Sequence, residues 1–352
     1  METVFVGLSG GVDSAVSAAL LKRQGYNIVG AFIKIWQPEF IECTWKEDRL
    51  DAMRVAAALQ IPFREVDLSE EYKRKVVEDM IEGYAAGTTP NPDILCNTHI
   101  KFGDFAAWAR ENGADYVATG HYAQIIHNDL RNRYELHRGA DANKDQSYFL
   151  YRLEASDLAR TLFPVGGLTK PEVRAHAIRF GLPVAKKPDS QGLCFVGDVS
   201  MKDFLSRFIS LTPGPVVDVG GRHIGEHEGA GLYTVGQRHG FTVAHTDADQ
   251  GAHFVIAVDA ARNTIQVSTD RSHAARTEVR LENVHWIGEP PAESFEADVQ
   301  ARYREEPQKA QVEISGANIS VRFREPQIAV SGQSLVMYTE EECLGGGVIM
   351  GK

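Results

Sequence analysis

The sequence predicts an α/β doubly wound parallel sheet, followed by a small, mostly β central domain and a C-terminal antiparallel β-barrel. Apolar strand-like runs alternate with helical patterns through the first half of the chain, as a parallel sheet covered by helices requires. Glycine, histidine and β-branched residues become frequent after residue 214. Short alternating runs between turn residues then continue towards the C-terminus, which is typical of small barrels.

The first half supplies the elements of the predicted sheet. Its predicted strands are 3–8, 27–34, 63–66 and 116–119, and its predicted helices are 46–59, 70–84, 102–111 and 169–180. The last helix opens on the capping-box pattern TKPE at Thr169, with proline in the first turn. Residues 90–102 are predicted to form a loop because proline and asparagine are frequent at its start.

The second half is predicted to be β-rich after one short helix, 204–209. We expect a hairpin of 254–259 and 264–268, and then strands 298–304, 310–314, 319–323, 334–338 and 347–350. The predicted domains are therefore 1–199 for the parallel-sheet unit, 200–264 for the central β-rich unit and 265–352 for the barrel.

Composition limits the function classes. The chain has 352 residues and a formal net charge of −11, which argues against a protein that coats nucleic acid nonspecifically. Apolar runs stay well short of the roughly 20 residues of a membrane span, and the N-terminus enters a strand directly, so we expect no signal peptide. None of the four cysteines forms a CxxC pair, so we expect reduced thiols and a cytoplasmic protein.

The stretch SGGVDS, residues 9–14, lies between a buried strand and a helix. Unpaired N–H groups and the helix dipole favour an anion there, and glycine lets the backbone approach a phosphate. A plain strand-to-helix turn with one capping residue is the alternative, although capping explains one polar residue and not four. The loop lacks the Gly-Lys-Ser/Thr end of a Walker A motif and is not GxGxxG.

SGGVDS resembles the pyrophosphate-binding loop of the ATP pyrophosphatases. The ordered set GLSGGVDS, TPNPDILCN with IKF, ATGHYA, KDQSYFLY, PDSQGLCF and LYTVGQRHG resembles the family of bacterial tRNA-specific 2-thiouridylases over essentially the whole chain. The resemblance implies an adenine nucleotide alpha hydrolase-like fold for the first domain. It also implies tRNA 2-thiolation: O2 of the wobble uridine, U34, is adenylated with ATP, and a cysteine persulfide then supplies sulfur to C2.

The resemblance also implies a nucleotide site, with Mg²⁺ as the expected companion of ATP. Asp13 is open to two interpretations, as a metal ligand or as a helix cap. The implied ATP-binding residues are Gly7, Leu8, Ser9, Gly10, Gly11, Val12, Asp13, Ser14, Ile33 and Gly120.

Two cysteines receive catalytic roles by resemblance. Cys194 is the persulfide carrier and Cys96 the partner nucleophile, which leaves a transient Cys96–Cys194 disulfide. Whether hydrosulfide is freed or sulfur passes directly stays open. Asp93 is expected to act as general acid or base, with a turn aspartate as the alternative, whereas Cys43 and Cys343 are expected to be small buried hydrophobes.

The implied partners are a tRNA anticodon loop and a protein that delivers sulfur, and the enzyme is expected to be a monomer. For any single arginine among the implied contacts, a solvated strand face is the alternative. The implied tRNA-contacting residues are Asn91, Pro92, Asp93, His121, Lys144, Asp145, Gln146, Arg302, Tyr303 and Gln333.

Two other functions remain open. An amide-forming ATP pyrophosphatase acting on a small substrate would need neither Cys96 nor Cys194. A noncatalytic nucleotide sensor or RNA-binding protein would bind ATP without releasing AMP and pyrophosphate.

Overall fold

The fold is that of a computed structural model, which describes residues 1–40, 45–189, 199–244 and 251–351. Within these ranges no helix is both long and apolar enough to span a lipid bilayer.

The N-terminal unit is built on a five-stranded parallel sheet with the order β3-β2-β1-β4-β7. Its central strand is buried at Val4, Phe5 and Val6, because helices cover both faces of such a sheet. The predicted doubly wound sheet is confirmed. The strands are β1 (Thr3–Gly7), β2 (Asn27–Lys34), β3 (Phe63–Asp67), β4 (Tyr116–Ala118) and β7 (Thr161–Leu162).

The helices of this unit follow the predicted strand–helix alternation. Helix α8 has the predicted capping box, in which Thr169 and Glu172 bond each other's backbone N–H groups. The helices are α1 (Val12–Arg23), α2 (Trp45–Ala58), α3 (Ser69–Tyr72), α4 (Glu78–Ala85), α5 (Pro92–Leu95), α6 (Phe105–Glu111), α7 (Ala155–Leu158) and α8 (Lys170–Arg179).

Residues 92–104 are helical, so the prediction of a loop at 90–102 is wrong for most of its length. Asn91 caps α5 by accepting a hydrogen bond from the Ile94 N–H, and Pro92 occupies the first turn, where a missing N–H costs nothing. A π-helical segment, Cys96–Asp104, continues α5 into α6. A second π-helical segment, Lys73–Val77, joins α3 to α4, and the Lys75–Asp104 ion pair links the two at 2.7 Å.

The central unit is a five-stranded sheet with the order β10-β9-β8-β12-β11. The predicted hairpin is confirmed as β11 (Phe254–Asp259) and β12 (Thr264–Ser268), so the predicted domain boundary at 264/265 falls inside a strand of this sheet. The predicted helix 204–209 is instead α9 (Met201–Leu205), capped by Ser200. The other strands are β8 (Gly214–Val217), β9 (His223–His227) and β10 (Phe241–Val243).

The C-terminal unit is a closed antiparallel barrel, because the order β13-β16-β15-β14-β17-β18 returns to its start through β13–β18 pairing. The predicted strand 298–304 ends early, and Arg302-Tyr303-Arg304 lies in a turn in which Arg304 has a φ of +62°. The strands are β13 (Arg276–Trp286), β14 (Ser294–Gln300), β15 (Gln308–Ser315), β16 (Asn318–Gln327), β17 (Ser334–Thr339) and β18 (Glu342–Ile349).

A hairpin of the N-terminal unit extends the barrel sheet, which sequence patterns did not predict. Strands β5 (Ala123–Asn128) and β6 (Arg133–Arg138) pair with each other, and β6 pairs with β18. Arg131 and Arg133 both bond Glu342 across this junction. The hairpin therefore attaches the barrel to the N-terminal unit.

Two leucines of the hairpin test this attachment. Leu136 is fully buried whereas Leu130 is 99% exposed, so Leu136→Ala leaves a cavity and Leu130→Ala does not. We expect Leu136→Ala to lower the free energy of unfolding by about 2–5 kcal/mol, and Leu130→Ala to change it by less than about 0.5 kcal/mol, measured by urea unfolding. Equal effects of the two substitutions would contradict the packing described.

Candidate functional site

The loop after β1 is held by its own serines. The Ser14 hydroxyl donates to the Gly11 carbonyl at 3.2 Å and accepts from the Ser9 N–H at 3.2 Å. Gly10 has a φ of +74°, and a Cβ there would meet the Asp48 carbonyl oxygen on α2. Both the backbone conformation and the lack of space therefore require glycine. The loop thus presents the N-terminus of the twelve-residue helix α1 in a fixed form, which suits an anion.

Two other predicted nucleotide residues lie against this loop. A Cβ on Gly7 would be 3.9 Å from Ile33 Cδ1, at the end of β2. A Cβ on Gly120, after β4, would be 2.7 Å from the Ser14 nitrogen and 2.8 Å from the Asp13 carbonyl carbon. The structure therefore brings the carboxyl ends of three parallel strands together at one site, where ligands of such sheets bind.

Asp13 does not cap α1; the helix N-cap is Gly11, without a side-chain cap bond. Lys170 Nζ donates to both Asp13 carboxylate oxygens at 2.7 and 2.9 Å, and the Tyr122 hydroxyl donates to one at 2.7 Å. Burial and the nearby Asp13 charge raise the pKa of Tyr122, which keeps its hydroxyl protonated as a donor. Within the described residues no group of three or more His, Cys, Asp or Glu could hold a metal ion.

The Asp189 carboxylate forms ion pairs with three cationic side chains. Lys144, Lys170 and Arg174 approach its carboxylate at 2.7, 2.9 and 2.7 Å. Burial acts to raise the pKa of Asp189, but the hydrogen bonds and charges of Lys144 and Lys170 outweigh it and lower the pKa to about 2. Two residues earlier, Lys187 bonds Asp48 and Asp51 of α2 at 2.8 and 2.7 Å.

The predicted persulfide cysteine, Cys194, lies outside the described residues, as does Cys43. Cys343 is 1% exposed in the barrel, and burial raises the pKa of its thiol. The expectation that Cys343 is a small buried residue is met.

Asp93 and Cys96 lie one helical turn apart on the chain that runs from α5 into the π-helical segment, so they share a face. Asp93 is solvent-accessible, yet the surrounding protein removes part of its hydration and raises the pKa of its carboxyl, while the Lys101 charge opposes this rise. An accessible carboxyl with a raised pKa is suited to proton transfer.

His121 is inside the protein, with 6% exposure. Its Nδ1 is 2.7 Å from the Thr119 hydroxyl oxygen and its Nε2 is 3.4 Å from Lys101 Nζ. Burial first, and the Lys101 charge second, hold the pKa of His121 well below its usual range. A neutral imidazole therefore orients Lys101 beside Asp93 in this state of the chain, instead of presenting a charge at the surface.

The predicted KDQ contact segment is engaged internally. Lys144 pairs with Asp189, and Gln146 Oε1 accepts from the Tyr122 N–H at 3.0 Å. Asp145 is 9% exposed and accepts from the Gly139 and Ser147 N–H groups at 2.9 and 3.1 Å. This arrangement positions the segment; it does not display the Asp145 carboxylate.

The barrel residues reach the segment before α5. Gln333 Nε2 donates to the Thr89 carbonyl at 2.7 Å and lies 3.3 Å from that of Pro90. The Tyr303 ring packs on Phe149 with a centroid distance of 4.4 Å. Arg302 remains exposed beside it. The barrel therefore supports the chain that leads into Asn91-Pro92-Asp93.

Sequence patterns missed Tyr122, Lys170 and Asp189 as parts of the site. Tyr122 and Asp189 stand inside motifs that carry the family resemblance, ATGHYA and PDSQGLCF, and Lys170 stands inside the capping box. Their contacts span up to 157 residues of sequence, and local patterns carry no signal of such pairing.

The low pKa of Asp189 gives a pH test. Because the folded-state pKa lies below the ordinary value near 4, its stabilisation is present above pH ~4 and is lost as the pH falls towards 2. We expect Asp189→Asn to cost about 2 kcal/mol of unfolding free energy at pH 7, and the difference from wild type to shrink below pH ~4. Asp129→Asn, at a side chain 94% exposed, is the control and should show no such loss; a pH-independent difference for Asp189→Asn would contradict the ion pairing.

Comparison with known proteins agrees with this architecture. Three family descriptions match successive segments: tRNA methyl transferase HUP domain over residues 2–198, tRNA methyl transferase PRC-barrel domain over 202–269, and aminomethyltransferase beta-barrel domain over 276–349. The chain is 43% identical to the tRNA-specific 2-thiouridylase MnmA of Streptococcus thermophilus, covering 98% of this chain and 94% of that protein. It is 44% identical to the protein of the same name in Proteus mirabilis, covering 99% and 97%. The chain therefore belongs to the MnmA family of tRNA sulfurtransferases.

Proposed function

We propose that this chain uses ATP to replace O2 of U34 in a tRNA by sulfur, giving 2-thiouridine, AMP and pyrophosphate. The observation that carries the proposal is the glycine loop at the start of α1, which suits a phosphate. The chain matches relatives named tRNA-specific 2-thiouridylases over nearly their full length. Adenylation is needed because a carbonyl oxygen is a poor leaving group.

ATP occupies the strand ends around the glycine loop in this proposal. The pyrophosphate accepts from the first N–H groups of α1 and from Ser9, and the adenosine lies between Ile33 and Gly120. Lys170 offsets the Asp13 carboxylate, which would otherwise repel phosphate from within the first turn of α1. Mg²⁺ would offset further phosphate charge.

Activation breaks the bond between the α- and β-phosphates as uracil O2 attacks the α-phosphorus. Pyrophosphate leaves, and O2 becomes the bridging oxygen of an adenylated uridine. Asp93, with its raised pKa, exchanges the uracil N3 proton and so shifts charge onto O2 during the attack. Lys101 stabilises the charged carboxylate form of Asp93.

Sulfur transfer then breaks the bond between C2 and O2. The terminal sulfur of the Cys194 persulfide attacks C2, and AMP leaves with the former uracil oxygen. The Cys96 thiolate next attacks Sγ of Cys194, forming a Cys96–Cys194 disulfide and leaving the second sulfur on C2. In the variant route, Cys96 attacks first and hydrosulfide performs the substitution; in both, an external dithiol reduces the disulfide.

In this account the tRNA lies across the helical segment of Asp93 and the barrel edge. Asn91 and Asp93 face the target base, whereas Pro92, predicted to contact it, is buried at the start of α5. Arg302 contacts the phosphate backbone. His121, Asp145 and Gln146 do not contact the tRNA in this account; they position neighbouring residues through internal hydrogen bonds.

We further propose a monomer in the cytoplasm that receives its persulfide from a partner protein.

Gly120 tests the nucleotide site. A methyl group at this position would press on the backbone of Asp13 and Ser14 and displace the start of α1. We expect Gly120→Ala to weaken binding of a non-hydrolysable ATP analogue at least about tenfold, measured by calorimetry. Gly167→Ala, where the added carbon would meet only Gln124 Oε1 at 3.8 Å, is the control; equal affinities of the two variants would refute the placement.

The cysteines test the chemistry. With ATP, tRNA and a persulfide source, we expect Cys194→Ser and Cys96→Ser to form no more than ~1% of wild-type 2-thiouridine, because each lacks a required sulfur nucleophile. Cys194→Ser should still release pyrophosphate in a tRNA-dependent burst. Cys343→Ala, at a buried cysteine of β18 that packs against the N-terminal unit, is the control and should thiolate normally. Wild-type amounts of 2-thiouridine from Cys194→Ser, measured by nucleoside mass spectrometry, would refute the persulfide route.

A further inference from the structure

Lys170 is shared between two carboxylates from distant parts of the chain. Its Nζ lies 2.7 Å from Asp13 in the first turn of α1 and 2.9 Å from Asp189. The side chain is only 13% exposed, and its own backbone N–H donates to Asp141 at 2.9 Å. The ammonium group is therefore held in place between its two partners.

The two carboxylates differ in their other partners. Asp189 also has Lys144 and Arg174, whereas Lys170 is the cation that pairs with Asp13 in the described part of the chain. A carboxylate in the first turn of an anion-binding helix opposes phosphate binding, because like charges at close range repel. Phosphate binding at this site therefore depends on the positive charge of Lys170, which offsets the negative charge of Asp13.

Asp189 competes for the same ammonium group. When the Lys170–Asp189 pair becomes more stable, Lys170 offsets the charge of Asp13 less. An anion bound at the start of α1 favours the Lys170–Asp13 pair instead. Two ligands that compete for one group are coupled, and the coupling is reciprocal. Residue 189 lies five positions before Cys194, so this coupling connects the nucleotide site with the chain that leads to the proposed sulfur carrier.

We propose that Lys170 is a positioning residue through which phosphate binding at the glycine loop and the ion pairing of Asp189 depend on each other. The proposal rests on the proposed function, because it takes the anion to be the phosphates of ATP. Lys170 acts through Asp13 and Asp189. Arg174 and Lys144 retain Asp189 when nucleotide binding shifts Lys170 towards Asp13.

The test is the affinity for a non-hydrolysable ATP analogue, measured by calorimetry on the full chain. Lys170→Met should weaken binding about tenfold, and Lys170→Arg should recover most of it. Asp189→Asn should tighten binding about three- to tenfold although Asp189 is not placed at the nucleotide, because it frees Lys170; couplings of this size are typical. In the Lys170→Met background, Asp189→Asn should change the affinity less than about twofold.

Two control variants distinguish the proposed coupling from a general effect of protein charge on nucleotide affinity. Asp51→Asn removes an ion-paired carboxylate that binds Lys187 rather than Lys170 and should change affinity less than about twofold. Lys309→Met, which breaks a lysine–aspartate pair on the barrel, should leave it unchanged. Thermal melting of each variant confirms folding before affinities are compared.

Additive effects of Lys170→Met and Asp189→Asn, or an unchanged affinity in Asp189→Asn, would overturn the coupling. These outcomes are distinct from failure of the proposed function, which would appear as a wild-type chain that binds no ATP analogue or forms no 2-thiouridine. A wild-type chain that thiolates tRNA but shows additive substitutions would leave the function standing and remove Lys170 from this role.

Discussion

The pairing of Lys170 with Asp13 and Asp189 is the interaction on which the rest of the site depends. Gly10 and Gly120 allow α2 and the end of β4 to approach the glycine loop closely. The Asp13 carboxylate lies within one turn of the proposed anion site. Lys170 offsets that charge and also anchors the chain before residue 190. A single partly buried cation thus serves both halves of the proposed chemistry, activation and sulfur delivery.

A second constraint acts where the three units meet, beside the helical segment of Asp93 and Cys96. Thr89 donates its N–H to Ser331 of the barrel and shares a hydroxyl contact with Thr234 of the central unit. Gln333 holds the carbonyl oxygens of Thr89 and Pro90, and the β5–β6 hairpin joins the barrel sheet. The barrel is therefore fixed relative to Asp93, the proposed general acid–base residue.

The sequence predicted the parallel sheet, the glycine loop and the barrel because each has a local signature: buried runs, glycines before a helix, and period-two alternation. It failed where tertiary contacts override composition. The Pro/Asn-rich stretch before Cys96 became a helix because Asn91 caps it and Pro92 starts it. The attachment of the β5–β6 hairpin to the barrel and the Lys170–Asp13 ion pair depend on partners more than 100 residues away, which no window of sequence displays. The family resemblance implied tRNA contacts for His121 and Asp145, yet both side chains are buried.

The account's central claim is that the uracil oxygen becomes a phosphate ester and departs with AMP. Isotope tracing tests it directly: a tRNA carrying ¹⁸O at C2 of U34 is incubated with the wild-type chain, ATP and a persulfide source, and AMP is analysed by mass spectrometry. The account predicts one ¹⁸O atom in AMP for each 2-thiouridine formed, and none in pyrophosphate. Unlabelled AMP accompanied by ¹⁸O in water would contradict it.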